Sequence, residues 1–167
     1  DEIFLWNAPF DAAATSLVKT PQRYDRIIWG NDNVAIISDE WYDTRNTKTY
    51  VINPSNPSQG PKVIFDRNAQ DAYSDPGNFE TRKNQYNRYV LAIENDNAYL
   101  IGNGFTKNGQ FPFISEFNLK TLQTNRLYTS TYKDKKEDLL EIEDFKKGTV
   151  LVQIQSKNEY PNYYLRN

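Results

Sequence analysis

The chain contains no histidine and no cysteine. Without His there is no Ser-His-Asp or Cys-His relay, and no His-ligated zinc, iron or copper site. Without Cys there is no disulfide framework, no thiolate nucleophile and no Cys-based zinc site. Nucleotide-binding glycine loops and a G-x-S-x-G elbow are missing as well. Gly102-Asn103-Gly104 is the nearest approach, and it reads as a turn or bulge after a strand. No catalytic residue, metal ligand or cofactor site is assigned. No apolar run approaches the roughly 20 residues of a membrane span. The formal charge of −2 argues against a nucleic-acid or anionic-membrane partner. The run Lys133, Lys135, Lys136 is broken by Asp134 and followed by Glu137 and Asp138, so it reads as a solvated mixed-charge face.

What is present is aromatic. Twelve Tyr and nine Phe in 167 residues favour strands, because these rings fit a pleated, half-buried surface. A β-rich run ending in Asn occurs four times: Ile3 to Asn7, Tyr50 to Asn53, Ser115 to Asn118 and Tyr164 to Asn167. Repeats of about 40 to 50 residues, each made of several strands, mark propeller blades. The expectation is an all-β chain: a fragment of a β-propeller with about three four-stranded antiparallel blades, the first and last incomplete. Residues 1–20 read as the end of a preceding blade, 24–67 and 89–130 as full blades, and 139–167 as an incomplete one. On this reading the chain begins inside one repeat and stops inside another, so the absence of a visible signal peptide says nothing of its address.

Along the chain, Tyr24 to Glu40 reads as a hairpin across Gly30-Asn31-Asp32-Asn33. Thr47 to Ile52 and Val63 to Asp66 complete its sheet. Tyr89 to Ile93, Ala98 to Ile101, Phe113 to Phe117 and Arg126 to Thr129 repeat the series. Asn68 to Arg88 is a long polar connection, read as a surface crossover. Lys135 to Phe145 is ambiguous: Leu139, Ile142 and Phe145 are three apart, as in a helix, whereas the repeat register calls for a strand over Leu140 to Glu143.

Three stretches in order carry a family resemblance. They are Ile28 to Asp32 running into Glu40-Trp41-Tyr42-Asp43-Thr44-Arg45, then Phe65-Asp66-Arg67 with Tyr73 to Gly77, then Pro112 to Asn118. This order resembles the β-propeller of prolyl oligopeptidase-type serine peptidases and is most similar to the glutamyl endopeptidase-like branch. The resemblance implies a non-catalytic part of a serine peptidase. Such a part gates and positions a peptide substrate for an α/β-hydrolase domain of the same parent chain, a domain absent here. A stand-alone propeller or β-sandwich that binds a protein or glycan is the alternative. Periplasmic or secreted placement of the parent is slightly favoured, and the Asn- and Lys-rich usage hints at a bacterial source. Uncovered blade edges imply self-association or marginal stability.

Glu40, Trp41, Tyr42, Arg45 and Lys48 are the candidate substrate-binding residues. If the parent cleaves after Glu, a cation must meet that carboxylate, and Arg45 and Lys48 are the ones this stretch offers. The competing reading packs Trp41 and Tyr42 between blades and pairs Arg45 with Asp43 or Glu40. Asp66, Asp71 and Asp75 lack the spacing of a calcium loop and read as turn formers. Tyr160, Tyr163 and Tyr164 read as packing of a final blade, since adjacent strand residues face opposite sides.

Overall fold

A computed structural model describes residues 1–167. The chain is all-β, built from several small antiparallel sheets, none closed on itself, with 3-10 turns at Pro57–Gln59 and Ala72–Ser74. This is consistent with a propeller fragment. The residues group into two compact units: Asp1–Gln70 with Lys83–Leu91, and Asp71–Arg82 with Ala92–Asn167.

In the first unit, β1 (Glu2–Leu5) pairs with β2 (Thr15–Lys19). A four-stranded sheet follows in sequence order: β3 (Arg23–Asn31), β4 (Val34–Trp41), β5 (Asn46–Ile52) and β6 (Lys62–Asn68). Turn chemistry sets the connections. Asn33 N–H donates to Asn31 Oδ1 (2.9 Å) between β3 and β4, and Ser55 N–H donates to Asn53 Oδ1 (3.0 Å) after β5. Strand β4 reads as a continuous apolar run rather than an alternating one. As an inner strand it is covered on both faces, and Ala35, Ile36 and Ile37 are all buried. Leu17 and Val18 of β2 pack on Ala35, Ile37, Tyr50 and Ile52. Each fully buried aliphatic side chain there contributes about 2 kcal/mol.

The chain continues through β7 (Asn78–Phe79), β8 (Thr81–Lys83), β9 (Tyr89–Leu91) and β10 (Ile93–Glu94) into β11 (Asn97–Gly102). Here the structure departs from the reading of Tyr89 to Ile93 as one strand. Strand β11 is flanked by two short segments: β10 lies opposite Asn97 and Ala98, and β7 lies opposite Leu100 and Ile101. Glu80 joins them, its N–H donating to Tyr99 O and its carbonyl accepting from Ala92 N–H. The polar connection therefore supplies part of a strand. Two features fix β7 in place. Phe79 packs edge-on against Phe117 (5.9 Å between ring centres). Gly77, at φ +90°, passes so close to β11 that a Cβ would lie 2.5 Å from Ile101 O.

The short hairpin of β12 (Phe105–Thr106) and β13 (Gly109–Gln110) leads to β14 (Phe113–Asn118) and β15 (Thr124–Thr129), which complete the sheet β10-β11-β14-β15. A three-stranded sheet follows: β16 (Lys136–Asp144), β17 (Thr149–Ser156) and β18 (Glu159–Arg166). The ambiguous segment 135–145 is thus a strand, and its helix-like spacing has a structural cause. Its ladder with β17 is bulged between Leu139 and Glu141 and again between Ile142 and Asp144. Each bulge adds one residue to a two-residue step, so apolar residues three apart return to one face. Leu139 and Ile142 join Ile114, Val150 and Val152 in the core of this unit, with Tyr99 and Phe145 packed against it.

Glu80 is also the acidic group most perturbed by this packing. Burial raises its carboxyl to about 7, opposed by the Ile142 N–H (3.5 Å) and reinforced by Glu141. Unfolded chains release this proton near pH 4.5, whereas the folded chain holds it until about pH 7. Folding is therefore favoured below this window and progressively penalised across it. The stability difference between the chain and its Glu80→Gln variant should shift by roughly 2 kcal/mol between pH 4.5 and 8, with the unsubstituted chain losing ground as pH rises. Urea unfolding at both pH values measures this. A pH-independent difference would contradict it.

Candidate substrate-binding loop

Trp41 and Asn46 form the last rung of the β4–β5 ladder, and Tyr42 to Arg45 close the hairpin as a four-residue loop. Arg45 takes the left-handed conformation (φ +56°), uncommon for a residue with a Cβ. Its N–H returns to Tyr42 O (3.3 Å), and its carbonyl accepts from Ala69 N–H (2.7 Å). Asn68 Nδ2 donates to Thr44 O (3.2 Å), and Asn46 N–H donates to Thr44 Oγ1 (3.3 Å). The loop is thus tied to the end of β6 and is not a free tip.

The Arg45 guanidinium lies 3.7 Å from the centre of the Tyr42 ring. That cation–π contact holds the planar fork in one orientation at a cost in exposed apolar surface, since Tyr42 is 68% exposed and Trp41 43%. Arg45 forms no ion pair with Asp43 or Glu40. Lys48 is differently placed. It stands in a cross-strand row between Asp39 and Asp66, and its Nζ is 3.2 Å from Asp66 Oδ2. Asp66 also accepts from Asn46 Nδ2 (2.7 Å), and this bond, together with Lys48, holds its carboxyl below the usual range. Asp39 is fully buried, accepting from Gln22 N–H (3.1 Å) and the Tyr50 hydroxyl (3.0 Å). Burial, then Asp39, pushes the Tyr50 hydroxyl up. Glu40 is opposite Arg23 and Thr47, on the sheet face that Lys48 does not share. The five candidates therefore divide: Tyr42 and Arg45 together in the loop, Trp41 and Lys48 on one face, Glu40 on the other. Asp71 and Asp75 accept from the N–H groups of Tyr73 and Gly77 in successive turns.

No family model matches the sequence. Two plant proteins do. Over 90% of the chain, it is 34% identical to a protein of Arabidopsis thaliana named probable glutamyl endopeptidase, chloroplastic. Over 99% of the chain, it is 30% identical to a protein of the same name from Oryza sativa subsp. japonica. The chain spans 17% and 19% of the lengths of these relatives. Among solved structures, a variant of AtxE2 isopeptidase with astexin3-dC4 bound aligns with 86% of the chain and 20% of its own, at 12% identity and a TM-score of 0.42. That likeness is too distant to carry an argument.

A second polar constellation escapes the sequence reading. In the second unit, a cavity of about 510 Å³ is lined by Tyr99, Ile142, Phe145 and Val150, with Tyr128 and Arg166 among its polar groups. The Glu137 side chain is fully buried. Its Oε1 lies 3.0 Å from Arg166 Nη1, and its Oε2 accepts from the Tyr128 hydroxyl (2.7 Å). Arg166 also donates to the hydroxyls of Tyr128 and Tyr132. Burial, then Glu137, raises the Tyr128 hydroxyl. One sequence signal could have found the pair. The residue before the recurrent Asn is Ile52 and Phe117 in two repeats, both buried, but Arg166 in the third.

An acid buried this completely depends on its cation. Glu137→Ala strips Arg166 and Tyr128 of their partner and should cost about 3 kcal/mol in urea unfolding, with Glu137→Gln costing less because it keeps the Tyr128 bond. A loss under about 0.5 kcal/mol for the alanine variant would show that the pair contributes nothing to stability.

Proposed function

We propose that this chain is a non-catalytic segment of a serine peptidase, a propeller portion that gates and positions peptide substrates for an α/β-hydrolase domain. In this reading Arg45 receives the side-chain carboxylate of an acidic substrate residue. The observation that carries it is the state of Arg45: a guanidinium with no ion pair, oriented by an exposed tyrosine and anchored by main-chain bonds. A cation already neutralised would gain little from a second carboxylate, which sets Lys48 behind Arg45. The names of the two plant relatives support an acidic side chain as the recognised group. The chemistry of the parent would be acyl transfer through a serine nucleophile supplied outside these residues.

The test is made in the full-length protein that contains this chain. A charge-assisted hydrogen bond contributes about 1.5 to 3 kcal/mol, or roughly 10- to 100-fold in kcat/KM. Arg45→Ala should lower kcat/KM by that factor for peptides cleaved after Glu and leave Gln-containing counterparts nearly unchanged. Lys48→Ala should have the smaller effect on this ratio. Equal loss across both substrates would remove Arg45 from specificity.

A further inference from the structure

The backbone of Arg45 is held from outside its own loop. A carbonyl oxygen lies in the plane of its peptide group, so a bond that fixes the oxygen restrains the whole plane. The two planes that flank the Arg45 Cα carry Thr44 O and Arg45 O. Both oxygens are bonded to the segment that ends β6: Thr44 O accepts from Asn68 Nδ2 (3.2 Å), and Arg45 O accepts from Ala69 N–H (2.7 Å). The Arg45 N–H, in the first of these planes, also donates to Tyr42 O (3.3 Å). With both planes held, the φ and ψ of Arg45 are set, and with them the direction of its Cα–Cβ bond. That direction lays the guanidinium over the Tyr42 ring. A left-handed φ of +56° at a residue with a Cβ persists only where surrounding bonds impose it.

Asn68 supplies this restraint with both ends of its amide. Its Oδ1 accepts from Gln70 N–H (2.8 Å), an Asx turn that bends the chain at Ala69, the residue whose N–H meets Arg45 O. Its Nδ2 serves Thr44 O in the other direction. Only one orientation of the amide satisfies both bonds, because the first needs an acceptor and the second a donor. The ladder puts the residue there: Asn68 stands opposite Asn46, the first residue after Arg45.

We infer that Asn68 is a positioning residue for recognition of an acidic substrate side chain, acting through Arg45 by holding the backbone on both sides of it. The inference rests on the reading of Arg45 as the group that receives the carboxylate. A receptor fixed before the substrate arrives loses little freedom on binding. Released from Asn68, the loop leaves the left-handed turn, and the guanidinium must be ordered anew at each encounter. The loss therefore falls on substrates that carry the carboxylate. It falls on KM more than on kcat, because the carboxylate is bound alike in the ground state and the transition state.

The test is Asn68→Ser in the full-length protein that contains this chain. Serine keeps an acceptor for Gln70 N–H, adds no charge beside Arg45, and is too short to reach Thr44 O. The ratio of kcat/KM for peptides cleaved after Glu to that for their Gln counterparts should fall about 3- to 10-fold, mainly through KM, with the Gln peptides nearly unchanged. Asn68→Ala, which removes both ends of the amide, should lower the ratio at least as far. Hydrogen exchange should show the Ala69 amide opening roughly fivefold faster in either variant, with the amides of β5 unchanged. The Gln peptides serve as the internal control, since a variant that folds poorly loses both substrates equally, and equal loss would overturn the inference. Arg45→Ala, measured alongside, separates this inference from the reading beneath it. If Arg45→Ala abolishes the preference for Glu while Asn68→Ser frees the Ala69 amide and leaves the preference intact, Asn68 has no positioning role and the reading of Arg45 stands. If Arg45→Ala leaves the preference intact, both fall.

Discussion

Everything in this chain hangs on the antiparallel register between the second and third strands of each sheet. Where Ala35 meets Ile52, and Ala98 meets Phe117, two buried residues face each other across paired main chains. A slip of one residue would turn every apolar side chain to the opposite face. The bulges then adjust what this rigid frame presents. They return residues three apart to the core in β16, and they recur at one position where the third strand meets the fourth. Twist and direction are thus set by local insertions, while the central pairing stays fixed.

The frame supplies donors to the two acids it buries most completely. Asp39 sits among main-chain and tyrosine donors, and Glu137 between an arginine and a tyrosine. Glu80 has a sparser arrangement, one long bond to a main-chain amide and an acidic neighbour, and burial raises its carboxyl. For Glu80 the rule is plain: desolvation raises a carboxyl where donors do not replace water. The loop of Arg45 follows a different rule. It is ordered by main-chain bonds to the end of β6, which leaves its charged head unpaired and exposes two aromatic rings.

Much of this was legible in the sequence, for identifiable reasons. Tyr24 to Glu40 could be read as a hairpin because Asn31-Asp32-Asn33 has local turn chemistry, and local chemistry survives in any context. The recurrent Asn pointed to a repeat because its side chain caps the turn after the third strand, as Asn53 and Asn118 both do. The segment 135–145 was ambiguous because a bulge is invisible without its partner strand. The composite edge of β7 and β10 was illegible for the same reason: two dipeptides far apart in sequence become neighbours only through β11.

The candidate site divides along the same line. That Arg45 and Lys48 are cations beside aromatics, and that no histidine or cysteine chemistry is possible, the sequence determined alone, because residue type fixes charge and reactivity. Which cation is free was decided by tertiary structure. Lys48 lands opposite Asp66 through the pairing of β5 with β6, while the left-handed turn at Arg45 lays its guanidinium on Tyr42. The pairing of Glu137 with Arg166 belongs to tertiary structure as well: the two are 29 positions apart in sequence, and their charges meet only when the third repeat folds against Tyr128 and Tyr132.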